Sequence, residues 1–77
     1  MSSKVDILQI FAYNLLRIRT QKGYSQRNLA AESGVDNADI SRMENAKKDT
    51  TLLTIRVLAD ALEVSDFELL ITPKNLL

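Results

Sequence analysis

The chain has 77 residues, with ten Lys plus Arg, ten Asp plus Glu, and neither His nor Cys. That length suits one small domain spanning 1–77, which buries only about 60% of its unfolded surface. Without thiols or imidazoles there is no disulfide staple, no ordinary zinc site and no His-activated nucleophile, so neither an enzyme nor any metal or cofactor is expected.

Met1 to Asp6 carries one basic residue, and the apolar run after it is broken by Asp6, Gln9 and Asn14. This fits neither a signal peptide nor the ~20 apolar residues of a membrane span, so a cytoplasmic protein is expected. Leu8, Phe11, Leu15 and Ile18 then step by three, four and three, which predicts one face of a first helix over 5–22. Gly23 stands where the helix must end, as a residue that accepts positive φ without strain.

Three later starts share one chemical pattern. Ser25, Asp36 and Ser65 each offer a side-chain oxygen to orphan amides, and each has an apolar residue before it and another four after. Only Ser65, with Glu68 three residues on, shows a full capping box in the sequence. Leu52, Ile55, Ala59 and Leu62 form a further helical stripe, begun by Thr50 or Thr51. The predicted helices are 5–22, 26–33, 37–45, 52–62 and 66–71, an all-α, compact five-helix bundle.

The informative stretch is 25–45. Two caps eleven residues apart, with Gly34 between them, predict a helix-turn-helix rather than two independent helices. Ala30 permits close crossing, while Leu29, Val35, Ile40 and Met43 fill a shared core. Net charge is zero overall but not locally. Up to residue 48 there are eight basic and five acidic side chains; beyond it there are two and five. One part can face a polyanion while the other turns away.

The segment SQRNLAAESGVDNADISRMENAK resembles the helix-turn-helix of the phage Cro/repressor family, also called the XRE family. NLLRIRTQKGY before it and TLLTIRVLADALEVSDFELL after it resemble that family's first, fourth and fifth helices. The resemblance covers nearly all of residues 11–70. It implies a phage-repressor-type fold and a sequence-specific DNA-binding regulator of transcription. It also implies that the helix at 37–45 enters the major groove, with base contacts from Asn37, Ala38, Ser41 and Arg42. Arg42 chemically suits guanine, Asn37 adenine, and Ser41 either role; Ala38 offers a methyl. The plain alternative for Arg42 is a surface salt bridge with Asp39 or Asp36.

Phosphate contacts are expected from Ser25 and Gln26 at a helix N-terminus, and from Asn45, Lys47 and Lys48 beyond the recognition helix. For the two lysines a solvated loop is the alternative. Arg19 and Glu44 are implied to be a buried structural ion pair. The loop departs from the family: its usual Glu-x-Gly is Glu44-Asn45-Ala46, so Asn45 or Ala46 must take positive φ or the loop must run differently.

Beyond the core stripes, Leu53, Val57, Leu58, Phe67, Leu70, Ile71, Leu76 and Leu77 are more than one small core should absorb. They predict a homodimer through 52–77, with Leu53, Val57, Phe67, Leu70 and Ile71 at the interface. Double-stranded DNA is the expected partner, with a toxin or RNA polymerase as a further protein partner and no small-molecule ligand. Among family members of this size the chain resembles restriction–modification controller proteins. Antitoxins, phage Cro-like repressors and a protein-binding adaptor that has lost its DNA contacts are the alternatives.

Overall fold

A computed structural model describes residues 6–76, without the side chain of Leu76. The expected helix start at residue 5 and the apolar side chains of Leu76 and Leu77 therefore lie outside the described residues. The described chain is all-helical: α1 (Ile7–Gln21), α2 (Gln26–Ser33), α3 (Asn37–Glu44), α4 (Leu52–Leu62) and α5 (Asp66–Leu70), then a 3₁₀ turn at Lys74–Leu76. No helical spacing in the sequence predicts that last turn. No helix among the described residues is long and apolar enough to cross a membrane.

Local chemistry explains the helix limits. Asp6, Ser25, Asp36, Thr51 and Ser65 each accept an amide of the first turn through a side-chain oxygen. Ser25 was expected to be a simple cap. In fact Asn28 Oδ1 accepts from the Ser25 amide at 3.2 Å, so α2 has a reciprocal box as α5 does. Asn supplies the same acceptor as the Glu or Gln usually found there. The preceding residues Tyr24, Val35 and Val64 pack half-buried against the core.

α1 lies against α3 and α5, α2 against α3 and α4, and α4 against α5. Phe11, Leu15, Ile18, Leu29, Ile40, Met43, Ile55, Leu58, Ala59, Leu62 and Leu69 make one buried cluster between them. Two expectations fail in α4. Leu52, assigned to the core stripe, is 83% exposed, whereas Leu58, assigned to the surplus, is fully buried. Leu52 is the first helical residue after the Thr51 cap, and the inward stripe begins one turn later at Ile55. The stripe then runs Ile55, Leu58, Ala59, Leu62, the i, i+3, i+4, i+7 pattern of one helix face.

A five-residue helix does not stand alone, and α5 is held from outside. Leu69 is fully buried, and the buried Asn14 of α1 donates through Nδ2 to the carbonyls of Leu69 and Ile71, both at 2.9 Å. On the outer side Arg56 clasps Asp66 with both nitrogens of one guanidinium edge. Those hydrogen bonds hold the Asp66 carboxyl below its usual range.

Helix α3 ends in a Schellman motif. The Lys47 amide donates to the Arg42 carbonyl at 2.9 Å and the Ala46 amide to that of Met43 at 3.1 Å. This puts Ala46 at φ 57, the position that Gly23 fills after α1 with φ 81. A left-handed Ala costs roughly 1 kcal/mol or more. Replacing Ala46 by Gly should therefore stabilise the fold by about 0.5–1 kcal/mol, raising Tm by several degrees. Gly34→Ala should do the reverse through φ alone, because nothing lies within 4 Å of its would-be Cβ. Thermal melts of both variants check this; equal Tm values would mean the loop relaxes out of the left-handed region.

Candidate nucleic-acid interface

Helix α3 has two faces of different character. Ile40 and Met43 are buried, and Glu44 joins them on the inner side. Ala38 and Arg42 are exposed and Ser41 is half-buried, on the side turned away from those inward residues, while Asn37, three residues before Ile40, is exposed as the first residue of the helix. Helical spacing of three and four thus separates an anchoring edge from a free one. Arg42 also donates through Nη2 to Asp39 Oδ1 at 2.5 Å, the surface pair considered as its alternative.

The anchoring edge is tied down by charge. Arg19 Nε donates to Glu44 Oε2 at 2.6 Å and Nη2 to Oε1 at 3.0 Å, while Nη1 donates to the Tyr24 carbonyl at 2.7 Å. The side chains are 11% and 4% exposed. Hydrogen bonding to Glu44 raises the Arg19 pKa against the opposing effect of burial. A fourth member joins them from α2: Gln26 Nε2 donates to Glu44 Oε1 at 2.9 Å. No spacing rule relates Gln26 to Glu44, since only the crossing of α2 and α3 brings them together.

That bond engages the Gln26 side chain and leaves its main-chain amide as the group expected to meet phosphate. The side chain is half-buried and turned towards Glu44. At the start of α2, the amides of Ser25 and Asn28 are closed by the capping box. The amides of Gln26 and Arg27, the first two helical residues, have no preceding helical carbonyl to bond. Beyond α3, Asn45 Nδ2 donates to the Ser41 carbonyl at 2.8 Å, which holds that side chain against the helix. Lys47 is exposed and Lys48 half-buried in the following loop.

The apolar candidates divide as well. Leu53 and Phe67 are 73% and 66% exposed, and Ile71 is also exposed. Leu70 instead packs half-buried against the core. Val57 lines a shallow groove with Glu32, Ser33, Asp60 and Ala61. Among the described residues no group of three or more His, Cys, Asp or Glu is placed to hold a metal.

Comparison with known proteins gives this geometry a family. Residues 15–69 match the family model described as helix-turn-helix. The chain belongs to the helix-turn-helix family. It is 35% identical over 70 residues to a hypothetical transcription factor of Neisseria meningitidis, covering 91% of this chain and 66% of that protein. The crystal structure of that factor superposes with a TM-score of 0.86 at 34% identity, over 91% of this chain and 80% of the other. A helix-turn-helix-type transcriptional regulator of Sinorhizobium fredii is 35% identical over 71 residues, 92% of this chain and 91% of its own. The restriction-modification controller protein C.AhdI of Aeromonas hydrophila superposes at TM-score 0.78 with 37% identity, covering 80% and 94% of the two chains.

Removing one partner of a buried pair strands the other charge. Glu44→Ala should cost about 3–5 kcal/mol and lower Tm sharply, while Gln26→Ala should cost about 1–3. Joint replacement of Arg19 and Glu44 by apolar residues should recover part of the loss. Denaturant melts of the single and double variants provide the test. Small, additive effects would show that the pair is solvated in solution.

Proposed function

We propose that this chain is a sequence-specific DNA-binding regulator of transcription. It acts in the cytoplasm as a homodimer on a (pseudo)palindromic operator, as a restriction–modification controller or a similar regulator of its own promoter. The division of α3 carries the reading. Its inner edge is immobilised by Ile40, Met43 and the Arg19–Glu44 pair, which leaves the edge with Asn37, Ala38, Ser41 and Arg42 free.

A major groove about 12 Å wide admits such a helix and presents a different donor–acceptor pattern for each base pair. Arg42 would take guanine O6 and N7, Asn37 adenine, and Ser41 either partner, with Ala38 against a thymine methyl. Phosphates would be held by the Ser25 hydroxyl, the Gln26 main-chain amide, the remaining Nδ2 hydrogen of Asn45, and Lys47 and Lys48. The similarity to two regulators of transcription and a controller protein supports the same reading.

One helix reads only a few base pairs, so useful selectivity calls for two half-sites about 34–36 Å apart on a two-fold axis. Leu53 and Val57 on α4, Phe67 and Leu70 on α5, and Ile71 just after it would form that dimer contact. Exposed Leu52 adjoins Leu53 and enlarges the apolar area. The acidic bias of residues 49–77 suits a region held away from phosphate.

Selection from a randomised duplex pool should return one palindromic motif. Arg42→Ala should lose about 1–3 kcal/mol of discrimination at one base pair per half-site while melting like the parent. Lys47→Ala should weaken all sequences alike and reduce the salt slope by about 1. An unchanged preference in Arg42→Ala would displace the recognition register. Sedimentation at micromolar concentration should give twice the 8.7 kDa chain mass; a persistent monomer, free and on palindromic DNA, would refute the dimer.

A further inference from the structure

In α2 and α5 the third helical residue turns back on the cap: Asn28 and Glu68 accept from the amides of Ser25 and Ser65. Helix α3 is built differently. Asp36 accepts from the Ala38 amide at 3.0 Å, and the third residue, Asp39, turns forward and accepts from Arg42. Its carboxylate therefore takes no part in capping. The pair is open to solvent, with side chains 30% and 56% exposed. Exposed pairs three residues apart contribute little stability. On a surface that meets phosphates, a carboxylate also weakens every complex regardless of sequence. Its place in the first turn of α3 also suits the positive end of the helix dipole, a contribution of about 0.3–1 kcal/mol that any carboxylate there would make and that does not call for the contact with Arg42.

Geometry supplies a reason for that contact. Arg42 Nη2 carries two hydrogens, and Asp39 occupies one of them. Whichever it is, one two-pronged edge of the guanidinium, Nε with Nη2 or Nη1 with Nη2, stays complete. A guanine requires such an edge for O6 and N7. A free Arg side chain has many rotamers and reaches phosphates and several bases, so fixing it in advance concentrates it on one target. A carboxylate beside it also repels the acceptors that other bases present in its place.

We propose, resting on the DNA-binding reading above, that Asp39 is a positioning residue that aims Arg42 at a guanine. It raises selectivity at one base pair per half-site and lowers affinity for DNA in general. The two single variants Asp39→Asn and Asp39→Ala test this, on duplexes selected by the unaltered chain and on a random-sequence duplex as the non-specific probe. The relevant base pair is the one whose preference disappears in Arg42→Ala.

Both Asp39 variants should bind the non-specific duplex about threefold or more tightly at low salt. They should also lose about tenfold of the guanine preference at that base pair, with the other positions unchanged. In an Arg42→Ala background, removing Asp39 should leave base preference as it was. A uniform loss across all positions, or a matching fall in Tm, would make Asp39 a structural residue and overturn the proposal. Unchanged guanine preference in both variants would overturn it alone. An unaltered chain that selects no motif would overturn the DNA-binding reading together with it.

Discussion

The Glu44 carboxylate receives hydrogen bonds from the end of α1 and the start of α2, and the setting of α3 depends on it. Arg19 holds it from one side and Gln26 from the other. A buried ion pair gains little net stability over an apolar replacement, because both charges must first leave water. What it contributes is direction. Apolar neighbours such as Ile40 and Met43 bury area without preferring one angle. A two-pronged guanidinium–carboxylate contact permits little rotation. The rotation of α3 about its axis decides which side chains look outward, so this pair governs how Asn37, Ala38, Ser41 and Arg42 are presented.

Helix α1 carries that control to the other end of the molecule. Its Arg19 end fixes α3, and its Asn14 holds the carbonyls at the end of α5. A five-residue helix depends on such external partners, and Leu69 and the Arg56–Asp66 clasp complete the set. Phe67 on α5 and Ile71 at its end are therefore displayed on a frame placed by α1, just as the outward side chains of α3 are. The two candidate surfaces share one rigid support. For a two-fold protein on DNA, that support would set the spacing between recognition helices.

Much of this was legible along the chain because the signals are local. Ser25, Asp36 and Ser65 close the first turns beside them, and Gly23 and Gly34 end helices through their own φ. The outward placing of Ala38, Ser41 and Arg42 follows from helical spacing once Ile40 and Met43 are inside; Asn37 is exposed because it opens the helix. Arg19 and Glu44 were legible through the family pattern alone, since nothing local relates residues twenty-five apart.

Other features needed the tertiary structure. Leu52 and Leu58 both satisfy a three-and-four spacing with Ile55, and only the position of α4 against α2 and α5 buries one and exposes the other. Asn tolerates the left-handed region better than Ala, so local preference in the loop favours Asn45. The structure puts Ala46 there instead, because the Schellman bonds to Arg42 and Met43 require that residue to turn. Gln26 carries a cap-adjacent sequence signature, yet its side chain is claimed by Glu44 across a helix crossing. The sequence by itself determined where helices start and stop and which residues of α3 alternate sides, since those depend on neighbours within four positions. The tertiary structure decided which of several equivalent side chains are buried and which polar groups meet, because both depend on contacts between helices that no spacing along the chain encodes.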